Sequence, residues 1–180
     1  MGRYVALLRG INVGGNNLIR MPALKACFEQ QGFTDVATYI ASGNVVFSSP
    51  GAGAALARRI EEALGKAFGY QTWVMLRSQK QLQEIVRRAP PGFGADPAKY
   101  RSDVIFLNAP LTAASAIKSV LTREGVDTAH AGPGVLYFSR LGARASQSKL
   151  SRVMSLPIYK SMTIRNWNTT TALLRLMSEG

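Results

Sequence analysis

At 180 residues and 47% hydrophobic content, the chain is long enough for one compact domain, or two small ones, with a real core. Its 22 Lys and Arg against 10 Asp and Glu give a formal charge of +12, an excess that favours polyanionic partners or phosphorylated ligands, with a basic surface lacking any dedicated partner as the bland alternative. A single cysteine, Cys27, excludes an internal disulfide, and with a single histidine, His130, it leaves too few donors for a His/Cys zinc site.

The N-terminal MGRYVALLRG passes straight into folded pattern, so no signal peptide is expected, and position 6 is Ala where a myristoylation signal needs Ser or Thr. No segment approaches the roughly 20 apolar residues of a membrane span. The expected location is the cytoplasm. Residues 4–9, YVALLR, read as a strand. Pro22 suits the first turn of a helix whose apolar stripe is Leu24, Cys27 and Phe28, and Gly32 is its stop. ATYIA (37–41) and NVVFSS (44–49) flank Ser42-Gly43 as a hairpin. Leu56, Ile60, Ala63, Leu64 and Ala67 keep helical spacing up to Gly69, and TWVML (72–76) returns to strand. The order β-α-β-β-α-β is that of a ferredoxin-like unit.

Ser78 and Gln81 form a capping box for a linking helix bearing Leu82, Ile85 and Val86, and Pro90-Pro91 ends it. The pattern then repeats. DVIFLN (103–108) is a strand. Thr112 caps a helix carrying Ile117, Val120 and Leu121 up to Gly125. Residues 126–130, which include His130, and VLYFS (135–139) form a second hairpin. Residues 147–155 read as a helix with Leu150, Val153 and Met154 inward, and SMTIR (161–165) is the last strand. The hairpins ASGNVVFSS (41–49) and AGPGVLYFS (131–139) align at an offset of 90, which predicts two diverged copies of one unit. The expected class is α+β: two ferredoxin-like βαββαβ units at 1–77 and 103–166, a linking helix and loop at 78–102, and a C-terminal helix at 167–180. The runs YVALL, DVIFL and VLYF do not alternate in polarity, so their sheets should be buried on both faces and offer no open base-stacking platform.

Three polar clusters carry the functional signal. The first is the turn after Arg9, with Asn12, Gly14, Gly15 and Asn16 before Arg20. Its glycines permit close backbone approach, and a helix N-terminus beyond it can cradle an anion. It is neither GxGxxG nor a P-loop. The second is Ser42-Gly43-Asn44, which is also simple turn chemistry. The third is IRNWNTTT (164–171), where Arg165 is followed by Asn166, Asn168 and Thr169 at a helix start. One of these residues caps the helix, and the others leave amides and hydroxyls beside a positive helix end. Trp167 reads as core in preference to a stacking surface. From Thr128 to Ser178 there is no Asp or Glu, while Arg140, Arg144, Lys149, Arg152, Lys160, Arg165 and Arg175 fall there. Lys149 and Arg152 share a helix face at that spacing. No acidic residue lies in any of the three clusters, so paired carboxylates or a carboxylate cage for magnesium are not evident, and no metal is expected.

The segments ALLRGINVGGNNLIRM, TYIASGNVVF, SKL (148–150) and TIRNWNTTTALLRL are similar to those of the bacterial family called domain of unknown function 1697, over essentially the whole chain. The resemblance implies two ferredoxin-like halves and no established activity, substrate or cofactor. The family often has lysine at the position of Asn16, so this chain lacks a charge there. The expectation carried forward is one positively polarised site built from loop 9–17, turn 42–44 and helix start 165–169. Arg9 and Arg165 would supply charge, and Asn12, Asn44, Asn166 and Thr169 would supply orienting hydrogen bonds. Its ligand would be an anionic small molecule bearing phosphate or carboxylate, or a nucleic acid. Two other classes stay open: an enzyme acting on a small anionic substrate without metal, and a structural or protein-interaction module.

Overall fold

The computed structural model describes every residue except Val13, Gly14, Asn16, Asn17, Ala41 and Ser42. The chain forms two compact units. The first comprises Met1–Leu82 with Ala172–Gly180, and the second Gln83–Thr171.

In the first unit the elements are β1 (Gly2–Arg9), α1 (Met21–Gln30), β2 (Thr34–Tyr39), β3 (Asn44–Ser49), α2 (Gly53–Phe68) and β4 (Trp73–Ser78). The sheet order is β2-β3-β1-β4 with antiparallel neighbours. One face carries the core: Phe28, Phe33 and Phe47 meet with ring centroids 4.8–5.9 Å apart, enclosed by Leu24, Ile60 and Leu64. Val5, Leu7 and Val46 point to the opposite face and are also fully buried, which accounts for strands that do not alternate. The C-terminal segment belongs here: Leu173 and Met177 are buried, and Arg3 donates to the carbonyl of Leu176 at 3.4 Å.

The helix α3 (Gln79–Arg87) opens with the expected capping box. Gln81 N–H donates to Ser78 Oγ at 3.2 Å, and Ser78 N–H donates to Gln81 Oε1 at 2.9 Å. The second unit continues with β5 (Tyr100–Leu107), α4 (Ala113–Ser119), β6 (Asp127–Gly132), β7 (Val135–Leu141), α5 (Leu150–Val153) and β8 (Met162–Asn166), and α6 (Trp167–Ser178) begins in it, its residues from Ala172 on counting with the first unit. Its sheet order, β6-β7-β5-β8, repeats that of the first unit, again with antiparallel neighbours. The fold is thus α+β, two ferredoxin-like units with a C-terminal helix. Among the described residues, no helix is long and apolar enough to cross a membrane.

The copies differ most after β7. The helix expected over 147–155 is cut to the single turn of α5, flanked by 3-10 turns at Gly142–Gln147 and Pro157–Ser161. Pro157 holds Leu156 extended and stops the helix. Met154 therefore faces out, 56% exposed, and Lys149 sits ahead of the helix at its N-cap. The helix capped by Thr112 also ends early, because Val120 is already extended, so Leu121 is exposed.

Candidate functional site

In the first unit the loop after β1 and the turn before β3 meet. Leu7 lies opposite Asn44 in register, and Leu8 N–H donates to the Gly43 carbonyl at 2.8 Å. Gly43 has φ +85°, and a Cβ there would lie 2.7 Å from Ile11 and 2.9 Å from Leu8, so only glycine fits. The amides of this region are engaged by the fold. Asn12 donates to the Ile19 carbonyl at 3.2 Å and accepts the Ile19 N–H at 2.7 Å, closing the loop as a backbone pair would. Asn44 is fully buried and donates to the Tyr39 carbonyl at 2.9 Å. Arg9 ends β1 directly opposite Trp73, which is 54% exposed. Gly15 is exposed, with φ +78°. Gly14, Asn16 and Ser42 lie outside the described residues.

The third cluster belongs to the second unit. Arg165 on β8 is 8% exposed and donates to Thr163 Oγ1 and to the Ile164 carbonyl, both at 2.9 Å. Burial lowers its guanidinium to about 10, so it remains charged at neutral pH. Asn166 caps α6, its Oδ1 accepting the Thr169 N–H at 2.7 Å, and Thr169 itself is buried. Lys149 donates its backbone N–H to Asp127 Oδ2 at 2.8 Å, and the same oxygen accepts the Arg123 N–H at 2.9 Å.

Beside the start of α6 lies a cleft of about 260 Å³. Strand pairing builds it. Asp103 on β5 faces Asn166 on β8, and Arg101 on β5 faces Arg140 on β7. These four residues border the cleft together with Ser102, whose side chain lies on the other face of β5, and Trp167 and Asn168 form its helical wall. Trp167 is fixed from behind: it stands edge-on to Phe93 at 5.1 Å, and it packs so closely on Gly94 that a Cβ there would come within 2.1 Å of the indole. Arg165 and Thr169 are not among the lining residues.

Charges of both signs meet beside the cleft. Arg140 Nη2 is 3.8 Å from Asp103 Oδ2, an ion pair too long for a hydrogen bond. Ser102 Oγ, Asp103 Oδ2 and Arg140 Nε are all buried without a hydrogen-bond partner. Burial pushes the Asp103 carboxyl above its ordinary value, against the opposing pull of Arg140 and Arg101. Like charges directly opposite on neighbouring strands cost stability, so the Arg101–Arg140 pair is not explained by the sheet alone.

Sequence reasoning reached Asn166 and Asn168 but not Ser102 or Asp103, and it counted Arg140 only as surface charge. The available signal was the polar Arg-Ser-Asp (101–103) opening an otherwise apolar strand. Cross-strand register, which a sequence does not display, aligns it with Asn166.

The sequence itself matches a known family over residues 1–137, described as protein of unknown function, DUF1697. The chain belongs to the DUF1697 family. The DUF1697 match ends at Tyr137 within β7, whereas a structural likeness runs further. The conserved bacterial protein SP0830 from Streptococcus pneumoniae is 25% identical, with a TM-score of 0.84 over 98% of each chain. No curated protein matches the sequence.

Proposed function

We propose that this DUF1697 protein binds a small phosphate-bearing ligand in the cleft of its second unit. The observation that carries this reading is the in-register pair Arg101 and Arg140, lining one cleft together with the start of the 12-residue helix α6. Two guanidiniums offer forked donors matched to phosphate oxygens, and a helix start adds partial positive charge. A phosphate between them relieves the repulsion that the single carboxylate of Asp103 leaves uncompensated. The role is binding in preference to acid–base catalysis, because Asp103 is the sole carboxylate in the cleft lining.

A thermal-shift screen against inorganic phosphate, sugar phosphates and nucleoside monophosphates tests this, since a ligand of the native state raises the midpoint by mass action. The expected hit persists at moderate salt and is weakened by Arg101→Ala, a change at an exposed side chain. Stabilisation indifferent to Arg101→Ala, or none by any member of the panel, would overturn the reading.

One observation favours a second reading, a nucleic-acid surface on the first unit. Trp73 is 54% exposed directly across from Arg9 on a chain of net charge +12. An exposed indole beside a cation stacks bases without regard to sequence. That reading predicts oligonucleotide affinity that falls steeply with salt and depends on Trp73.

A further inference from the structure

We infer that the outer edge of β6 receives an extended acidic segment of a partner protein, which adds a strand to the sheet of the second unit. The inference goes beyond the phosphate reading of the cleft and does not depend on it. β6 is the end strand in the order β6-β7-β5-β8, so one of its sides has no neighbour. The phase of the ladder fixes which groups lie on that side. Leu141 N–H donates to the Val126 carbonyl at 2.8 Å, and the register runs on from Asp127 opposite Arg140 to Gly132 opposite Val135. Bonded and non-bonded pairs alternate in an antiparallel ladder, so Thr128, His130 and Gly132 bond towards β7, while Asp127, Ala129 and Ala131 turn N–H and C=O outward. The Asp127 N–H is taken by the Arg123 carbonyl at 2.8 Å. No hydrogen bond among the described residues reaches the backbone groups of Ala129 and Ala131 on that side. Thr128, His130 and Ala131 are exposed.

Open edges are normally guarded by charged side chains, proline or a bulge, because they template pairing with another chain. β2, an edge strand of the first unit, is guarded: its register shifts between Thr34 and Ala37, and Asp35 stands there at φ +49°. β6 has no such guard. Its register is unbroken, and residues 128–132 include no Lys, Arg, Asp, Glu or Pro.

Charge selects the occupant. A hollow of about 720 Å³ adjoins the end of the edge, where Ala131, Gly132 and Pro133 meet Ala113, Ala114 and Arg88. The Arg88 side chain is 61% exposed, and it shares Glu84 with Arg87, so that group of three keeps a net positive charge. Ahead of the other end of β6, Arg144 comes so near Gly125 that a Cβ there would lie 3.8 Å from its Nη1. Residues 128–178 hold no Asp or Glu. A strand added to such an edge is held by main-chain bonds and selected by its alternate side chains. An acidic side chain entering the hollow meets Arg88. A second copy of the chain is the wrong occupant, since a net charge of +12 repels its own kind.

Capped heptapeptides that alternate valine with glutamate, lysine or serine test the idea. Each is titrated into the isotopically labelled full chain at moderate salt, read by amide NMR and hydrogen exchange. The glutamate peptide should bind best and slow exchange at the Ala129 and Ala131 amides. N-methylation of all its amides keeps the side chains and removes the donors. Ala131→Pro removes an outward N–H and spares the bonds to β7, a place where edge strands accept proline. Each change should weaken binding about tenfold, the scale of one or two backbone hydrogen bonds. Binding that survives N-methylation, equal binding of the lysine peptide, or no binding of the glutamate peptide would overturn the inference. Dimerisation of the unaltered chain that protects the same two amides would overturn it in favour of a second copy. The N-methylated peptide is read against the unaltered protein, so the test stands even if the proline variant does not fold.

Discussion

Asp127 illustrates how one side chain organises a backbone. Its Oδ2 accepts N–H groups from Arg123 and Lys149, 22 residues beyond it in sequence. Asp127→Ala strands two backbone donors, and we expect a loss of about 2–4 kcal/mol in denaturant unfolding, the usual scale for unsatisfied buried polar groups. Arg165 plays a similar internal role, donating to Thr163 and Ile164. Arg165→Ala should cost stability on the order of 2–4 kcal/mol as a buried truncation, yet leave phosphate binding unchanged in calorimetry, since Arg165 is not among the residues lining the cleft. Asp103 differs in kind. Its carboxyl is raised in the folded state by burial, so the folded protein takes up a proton before the unfolded chain does. Stability relative to Asp103→Asn should therefore rise as pH falls from 7 towards the ordinary aspartate value near 4. A difference that is flat or shrinks over that range, measured by thermal unfolding, would contradict the assigned burial cost.

Among the elements, the start of α6 does the most. Asn166 caps it, Thr170 Oγ1 bonds back to the Asn166 carbonyl at 3.0 Å, and Trp167 seats on Gly94. Gly94 combines φ +74° with a Cβ position that would collide with the indole. Gly94→Ala should cost at least about 1–3 kcal/mol from backbone strain alone. It should also shift Trp167 emission and weaken binding in the cleft, because the helical wall moves. Elements of this kind were legible where local chemistry decides them: the Ser78/Gln81 capping box and the Thr112 cap follow from side-chain hydrogen bonds within one turn, and the cap of α6, left among Asn166, Asn168 and Thr169 by the sequence, falls to Asn166. They were illegible where a short helix competes with a proline, as around Pro157, or where strand pairing brings distant residues together. Arg-Ser-Asp at 101–103 acquires meaning only beside Asn166, 63 positions on from Asp103.

At the scale of the whole molecule, duplication was legible from two hairpins 90 residues apart, and both copies fold to the same strand order. Their non-alternating strands foretold sheets buried on both faces, and this turns attention from the sheets to loops, rims and strand ends. The two units have used those places differently. In the first, Asn12 and Asn44 spend their amides on closing the loop and the turn. In the second, an arginine pair, an aspartate and a helix start border a cleft. The most direct test is amide and indole NMR of the isotopically labelled full chain during titration with glucosamine 6-phosphate and cytidine monophosphate. We predict saturable shifts at Arg101, Ser102, Asp103, Arg140, the Trp167 indole and Asn168. Shifts confined to Arg9, Asn12 and Trp73, or no shifts at all, would contradict it.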